Sequence, residues 1–91
     1  MKLYTVIFEF LDGTYVSQVE CKRFESVTAT WLEHLNLDEI DGINEVERDS
    51  LRIEFLKEEP VLLEGLKNIW CNSIFWNDRI QFLYIISTDL K

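Results

Sequence analysis

Apolar and polar residues alternate in four segments of the chain, and such a period of two is typical of β-strands. The first two segments flank Asp12-Gly13, and the last two flank Asn77-Asp78. Both dipeptides suit a two-residue turn between antiparallel strands. The pattern therefore predicts two β-hairpins, one near each end of the sequence.

The first predicted hairpin spans Leu3 to Cys21. With Asp12-Gly13 as the loop, the expected pairs are Leu11 with Thr14, Phe10 with Tyr15, Phe8 with Ser17, Val6 with Val19 and Tyr4 with Cys21. Because opposite residues share a side of a sheet, one face then collects the expected core, namely Tyr4, Val6, Phe8, Phe10, Tyr15, Val19 and Cys21. The other face carries Thr5, Ile7, Glu9, Leu11, Thr14, Val16, Gln18 and Glu20.

The second predicted hairpin has one coherently apolar face and a second face on which apolar and polar residues are mixed. Pairing across Asn77-Asp78 gives Phe75 with Ile80, Ser73 with Phe82, Cys71 with Tyr84 and Ile69 with Ile86, and we take this face as the core face. The other face carries Trp70, Asn72, Ile74, Trp76, Arg79, Gln81, Leu83 and Ile85. We therefore expect Trp70 and Trp76 on the face that the helices leave open, where so much apolar surface needs a cover. A second copy, a partner or the acidic middle of the chain would supply it.

Between the hairpins, the spacing of apolar residues predicts one or two helices. Phe24, Val27, Trp31 and Leu35 recur three or four residues apart, which predicts a helix over 25–36, with either Ser26 as N-cap or Glu25 in the first turn. Residues 36–44 are expected to form a loop anchored by Leu37 and Ile40. Residues 45–59 fit both a helix and an alternating strand. Their length, their charged composition and a capping residue at Asp49 or Ser50 favour a helix that ends before Pro60.

These elements predict a single α+β domain over residues 1–91. Its antiparallel four-stranded sheet consists of the two hairpins, and the one or two helices between them pack on one face, in the order ββα(α)ββ. The sequence contains no apolar run of about 18 residues, so no transmembrane span is predicted. No cleavable leader is recognisable either, and we expect a cytoplasmic protein. In that compartment Cys21 and Cys71 are expected to be reduced, with a Cys21–Cys71 bridge as the alternative.

The net charge is −8, and its distribution along the chain is uneven. The stretch from Glu33 to Glu64 holds eleven acidic and three basic residues, whereas the acidic and basic residues elsewhere cancel. A surface that binds phosphates needs the opposite sign. Nucleic acid is therefore not an expected partner, and neither is a membrane.

The sequence offers no recognisable catalytic or metal-binding set. His34 is the only histidine and lies at a predicted helix end, where it has a structural role. The two cysteines lack zinc-ligand spacing, and the three glycines form no phosphate loop. Gly42 follows two acids, but a calcium loop placed on it would begin at Leu37 and end at Arg48, where acids are required. We expect no enzyme, no cofactor and no metal.

Two segments resemble a group of small bacterial proteins without an established function, namely Gly13-Thr14-Tyr15-Val16-Ser17-Gln18-Val19 and Gly65-Leu66-Lys67-Asn68-Ile69-Trp70-Cys71. This resemblance implies a bacterial, cytosolic, single-domain protein and transfers no active site. The first strands and helix, with Tyr4, Phe8, Gly13 and Tyr15, are also remotely similar to HicB-type antitoxins. The chain has Cys21-Lys22-Arg23-Phe24 where that family has a connection rich in proline and glycine, so direct repressor function is not expected.

These features favour a small acidic module that binds protein, in the manner of an immunity protein or antitoxin that neutralises a basic toxin or nuclease by direct contact. Charge would steer the encounter, and aromatic anchors would hold the complex. The candidate partner-binding residues are Asp38, Glu39, Asp41, Glu45, Glu47, Asp49, Trp70 and Trp76. The alternative is a homodimeric structural or regulatory protein, in which case the acids only keep the protein soluble.

Overall fold

The fold is α+β, with one antiparallel sheet and a helical layer on one of its faces. The computed structural model describes residues 1–11, 13–40, 43–57, 59–76 and 78–88. Within them the strands are β1 (Lys2–Phe10), β2 (Gly13–Cys21), β3 (Val61–Leu62), β4 (Ile69–Trp76) and β5 (Arg79–Ser87). The helices are α1 (Val27–Glu33) and α2 (Glu45–Leu56), and 3₁₀ turns lie at Phe24–Ser26 and Leu37–Glu39.

The five strands lie in the order β2-β1-β5-β4-β3. The expected α+β class and the antiparallel sheet are confirmed, but the sheet has a fifth strand at the edge next to β4. This strand, β3, comprises two residues, and Val61 pairs with Cys71. Its two-residue length is below the usual range of strands, so the sequence pattern gave no period to detect.

The first hairpin has the predicted faces but a different register. Phe10 pairs with Gly13 and Phe8 with Tyr15, so the pairing is displaced by two residues and the loop lies one residue earlier than Asp12-Gly13. Asp12 itself lies outside the described residues. A displacement of two residues keeps every side chain on its face, because the side-chain period of a strand is two. Six of the seven expected core residues are accordingly buried, and Tyr15 is half-buried.

Contacts made by Leu11 account for the earlier turn. Leu11 adopts a φ of 51°, a left-handed conformation that leucine rarely takes. Its backbone N–H donates to the Gln81 Oε1 at 2.7 Å, and its side chain packs on the core.

At Gly13 an added Cβ would lie 2.6 Å from the Tyr15 hydroxyl oxygen. Glycine at this position therefore makes room for the Tyr15 ring.

The second hairpin has the predicted register, but the predicted assignment of its faces was wrong. Phe75 pairs with Ile80 and Cys71 with Tyr84, as expected. Its helix-covered face is the one that carries Trp70, Asn72, Ile74, Trp76, Gln81, Leu83 and Ile85. The pairing of β1 with β5 determines this orientation. Phe8 lies opposite Leu83, so Leu83 shares the core side, whereas Ile7 lies opposite Tyr84 on the other side.

Both helices form where the sequence predicts them, with different ends. α1 is shorter than expected, because a 3₁₀ turn replaces its first residues, and the side chain of its N-cap Ser26 makes no capping hydrogen bond. α2 begins after Asn44 rather than at Asp49 or Ser50. It ends at Leu56, before Pro60. Ile40 is buried and Leu37 packs against the core, which confirms that they anchor the connection between the helices.

Two buried amides on the covered sheet face join separate elements. Gln81 is 3% exposed. It accepts from the Leu11 N–H and donates through Nε2 to the Trp76 carbonyl at 3.1 Å, so it links the ends of both hairpins. Asn72 donates through Nδ2 to the Phe55 carbonyl at 3.0 Å. That carbonyl is one of the last four of α2 and lacks an intrahelical partner.

We expect Gln81→Met to lower the free energy of unfolding by about 1–3 kcal/mol, because it leaves the Leu11 N–H and the Trp76 carbonyl without their buried partner. The matched control is Gln18→Met. Gln18 is exposed, and in the described part of the chain its side chain donates to the Thr5 hydroxyl, so its loss should change stability by less than about 0.5 kcal/mol. Urea denaturation of the three proteins measures both effects. Equal stability of the two variants would contradict the linking role of Gln81.

Candidate functional site

Five of the six acidic residues proposed from the sequence lie in the 3₁₀ turn Leu37–Glu39 and in the first half of α2. Glu39, Glu45 and Asp49 are exposed, and Glu47 is half-buried. Asp38 lies in the 3₁₀ turn Leu37–Glu39, and Asp41 lies outside the described residues. The acids that the structure does describe follow the start of α2 and the turn before it.

Glu47 has a structural role at the start of α2. The Asn44 Oδ1 accepts from the Glu47 N–H at 2.9 Å, and the Glu47 Oε1 accepts from the Asn44 N–H at 3.1 Å. This reciprocal capping box satisfies backbone groups that would otherwise lack partners. Glu45 adds a second acid to the first turn, where the helix dipole favours negative charge.

The two tryptophans lie on the covered sheet face and are half-buried. Trp70 packs against the Phe24 ring, with the centroids 4.4 Å apart. Trp76 contacts the core, and its buried indole N–H has no hydrogen-bond partner among the described residues. The sequence had predicted that both indoles project from the open face, and this prediction was wrong. Trp70 instead packs against Phe24, which lies in the 3₁₀ turn before α1.

The solvent-facing side of α2 carries a stripe that combines apolar and acidic residues. Its members are Val46, Asp49, Ile53 and Leu56, which we call the α2 stripe. They are all exposed. Their spacing of three, four and three residues places them on one side of the helix. Glu45 lies one turn before Asp49, and neither carboxylate has an ion-pair partner within the described ranges. The same spacing was visible in the sequence, but it did not show that this side faces solvent.

A cleft of about 220 Å³, which we call the end cleft, lies at the C-terminal end of the α2 stripe. Phe55 and Thr28 are its buried lining, and Leu56 belongs to the stripe itself. The rest of the cleft lining consists of Phe24, Pro60 and the exposed residues Glu25 and Glu59. The cleft therefore joins aromatic and aliphatic surface to two carboxylates. Its residues come from both sides of α2 in sequence, so the sequence patterns did not identify it.

Basic residues balance only part of this negative surface. Arg52 lies 3.9 Å from the Glu33 carboxylate, and Lys57 donates to the Glu54 carboxylate at 3.0 Å. Both pairs are solvent-accessible and contribute little to stability. They use two of the three bases of the acidic stretch, and among the described residues neither base pairs with Glu45 or Asp49.

The second face of the sheet is open to solvent and mostly apolar. We call it the open sheet face. Its strand residues are Leu3, Thr5, Ile7, Glu9, Thr14, Val16, Gln18, Glu20, Val61, Ile69, Cys71, Ser73, Phe75, Ile80, Phe82, Tyr84 and Ile86. One row crosses all five strands through Val16, Ile7, Tyr84, Cys71 and Val61. Tyr84 occupies its centre, on the middle strand.

The centre of the open sheet face holds Cys71 and Tyr84, whose ionisation is influenced by burial and by the Glu9 carboxylate. Burial raises the pKa of the Cys71 thiol, and the negative charge of Glu9 raises it further. Burial likewise raises the pKa of Tyr84, with Cys71 and Glu9 adding to it. Because the nucleophile is the thiolate, the Cys71 thiol reacts more slowly near neutral pH than an unperturbed thiol does. Cys21 is buried on the other side of the sheet, and both cysteines are free.

His34 makes a hydrogen bond to the backbone of its own helix. His34 lies at the end of α1 and donates through Nδ1 to the Thr30 carbonyl at 2.9 Å, as expected for a structural histidine. In the described ranges, no group of three or more histidine, cysteine or acidic residues is placed to hold a metal ion. No helix in this part of the chain is long and apolar enough to cross a membrane.

Comparisons with protein-family models, with curated proteins and with solved structures found no match to this chain. The candidate surfaces are accordingly those defined by geometry, namely the α2 stripe with the end cleft on one layer and the open sheet face on the other.

We expect alkylation of Cys71 by iodoacetamide to need a higher pH than alkylation of an unperturbed thiol, because burial and Glu9 both disfavour the thiolate. Glu9→Gln removes the negative charge, so the midpoint of the rate–pH profile should shift to lower pH, part of the way toward that of an unperturbed thiol. Glu20→Gln, on the same face, is the control and should leave it unchanged. Peptide mapping by mass spectrometry assigns the label to Cys71 or Cys21. A profile insensitive to Glu9→Gln would show that the carboxylate does not act on the thiol.

Proposed function

We propose that the protein is a non-catalytic module that binds a basic protein through the α2 stripe and the end cleft. The observation that supports this most is the combination, on one exposed helix side, of uncompensated acids with apolar side chains. Interfaces of this kind use charge to steer the partner and apolar contact to hold it.

The end cleft is suited to a lysine or arginine side chain of such a partner. The long stem of a basic side chain packs on apolar surface while its charged end stays in contact with polar groups. Phe24 and Leu56 offer the apolar surface, and Glu25 and Glu59 offer the opposite charge. A cation close to an aromatic ring gains further stabilisation. The cleft thus takes the anchoring role that Trp70 and Trp76 had in the sequence-based hypothesis.

An immunity protein or antitoxin is the biological class that fits this description best. Its target would be a basic toxin or nuclease, which the acidic surface attracts and covers by direct contact. We place the protein in the cytoplasm of a bacterium, as the resemblance of its Gly13–Val19 segment implies. The proposal involves no cofactor, nucleic acid or membrane.

The test pairs the protein with the product of the gene immediately upstream, which the proposal expects to be basic. Glu45→Lys/Asp49→Lys should raise the dissociation constant at least about tenfold, mainly by slowing association, because rim charges act on the encounter rate. Surface plasmon resonance at two salt concentrations measures both the rate and its salt dependence.

The matched control is Glu9→Lys/Glu20→Lys on the open sheet face. It changes the net charge by the same amount but leaves the α2 stripe intact, so the affinity should stay within about twofold of that of the wild type. Equal weakening by both double variants would show that only net charge matters. Failure of the upstream product to bind would also contradict the proposal.

A further inference from the structure

We propose that the open sheet face is a self-association surface, on which two copies of this chain pack sheet against sheet around Tyr84. This inference is independent of the proposed function, because it uses the layer opposite the α2 stripe. The occupant is a second copy, and three features of the face support this choice.

The first feature is the separation of charge between the two layers. The net charge of −8 arises between Glu33 and Glu64, and the helices of this stretch lie on the covered side of the sheet. The open sheet face carries Glu9 and Glu20 as its only charged strand residues in the described part of the chain. Two copies that meet through this face therefore keep their acidic layers on the outside, far apart.

The second feature is self-complementarity around the two-fold axis of a dimer. If the two-fold axis runs parallel to the strands and passes through Tyr84, β1 of one copy lies over β4 of the other. Glu9 then lies opposite Ser73 of the other copy, because both residues are in register with Phe82. If the axis instead runs perpendicular to the strands, β1 lies over β1 of the other copy, and Glu9 lies opposite Thr5 of that copy. In both arrangements the Glu9 carboxylate meets a hydroxyl donor rather than the Glu9 carboxylate of the other copy. An isologous interface requires such a match of one surface with itself.

The third feature is the size of the apolar area. Four strands about 4.8 Å apart, over the seven residues from Ile80 to Ile86, span a planar area of roughly 450 Å², and the two residues of β3 extend it at one edge. Stable interfaces bury at least about 600 Å² of accessible surface on each partner, and side chains make accessible area larger than planar area. Phe75 is 68% exposed and Ile80 is 59% exposed, so the apolar surface to be buried is present. Two sheets packed in this way form a sandwich with a core about 10 Å thick.

Light scattering and sedimentation over a wide range of protein concentration test the proposal. The wild type should be a dimer at micromolar concentration. Ile80→Lys should weaken dimerisation about 100-fold or more, because it places an unpaired charge in an apolar interface. Leu66→Lys is the matched control, since Leu66 is 44% exposed and lies outside both candidate surfaces. Circular dichroism checks that both variants are folded.

Thiol labelling of the unmodified chain provides a second measurement that needs no variant. Cys71 lies beside Tyr84 at the centre of the face, so the dimer covers it, whereas Cys21 is buried in either state. The rate at which a maleimide labels Cys71 should fall about tenfold or more as the protein concentration rises through the dimerisation range.

Three results would overturn the proposal. One is a wild type that stays monomeric into the hundreds of micromolar. Another is a dimer that Ile80→Lys and Leu66→Lys affect equally, which would assign association to another surface such as the free edge of β2. The third is a labelling rate of Cys71 that does not depend on protein concentration.

Discussion

The pairing of β1 with β5 is the constraint on which the rest of the structure depends. It joins the two hairpins into one sheet and determines which side of the second hairpin faces the helices. Phe8 lies at the centre of this pairing, opposite Leu83, and both are fully buried. The Phe8 ring contacts the rings of Trp31 on α1 and Phe55 on α2, with centroids 5.0 Å and 5.9 Å away. The helical layer is thus held over the two paired strands by the same side chain.

How far the sequence predicted this fold is best judged from its two hairpins. In the first, the core side is almost entirely apolar and the other side is mixed, so the faces were predicted correctly even though the turn lay one residue earlier. In the second, Trp70 and Ile74 alternate with Cys71 and Phe75, and neither face is polar enough to be recognised as the outer one. Only the long-range pairing with β1 decides between them, and a local pattern contains no information on that pairing.

Buried amides made this ambiguity worse. Asn72 and Gln81 gave one face of the second hairpin a polar appearance, which is normally a sign of solvent exposure. In the structure both side chains are buried and hydrogen-bonded to backbone groups, so their burial costs little.

The candidate surfaces also differ in how far the sequence could predict them. The acids on α2 could be predicted because charge is visible in a sequence, whereas the end cleft and the open sheet face depend on which side of each element the fold covers.

The wide separation of β1 and β5 along the chain has a consequence for synthesis in the cell. Leu11 and Gln81, which bond to each other beside this pairing, are 70 residues apart. At about 5–20 residues per second, the ribosome makes β5 several seconds after β1. Until then, β1 has one unpaired edge, and unpaired edges of this kind promote aggregation of nascent chains. The first hairpin must therefore remain separate from other chains, by dilution or by chaperones, until the last strand emerges and the sheet can close around it.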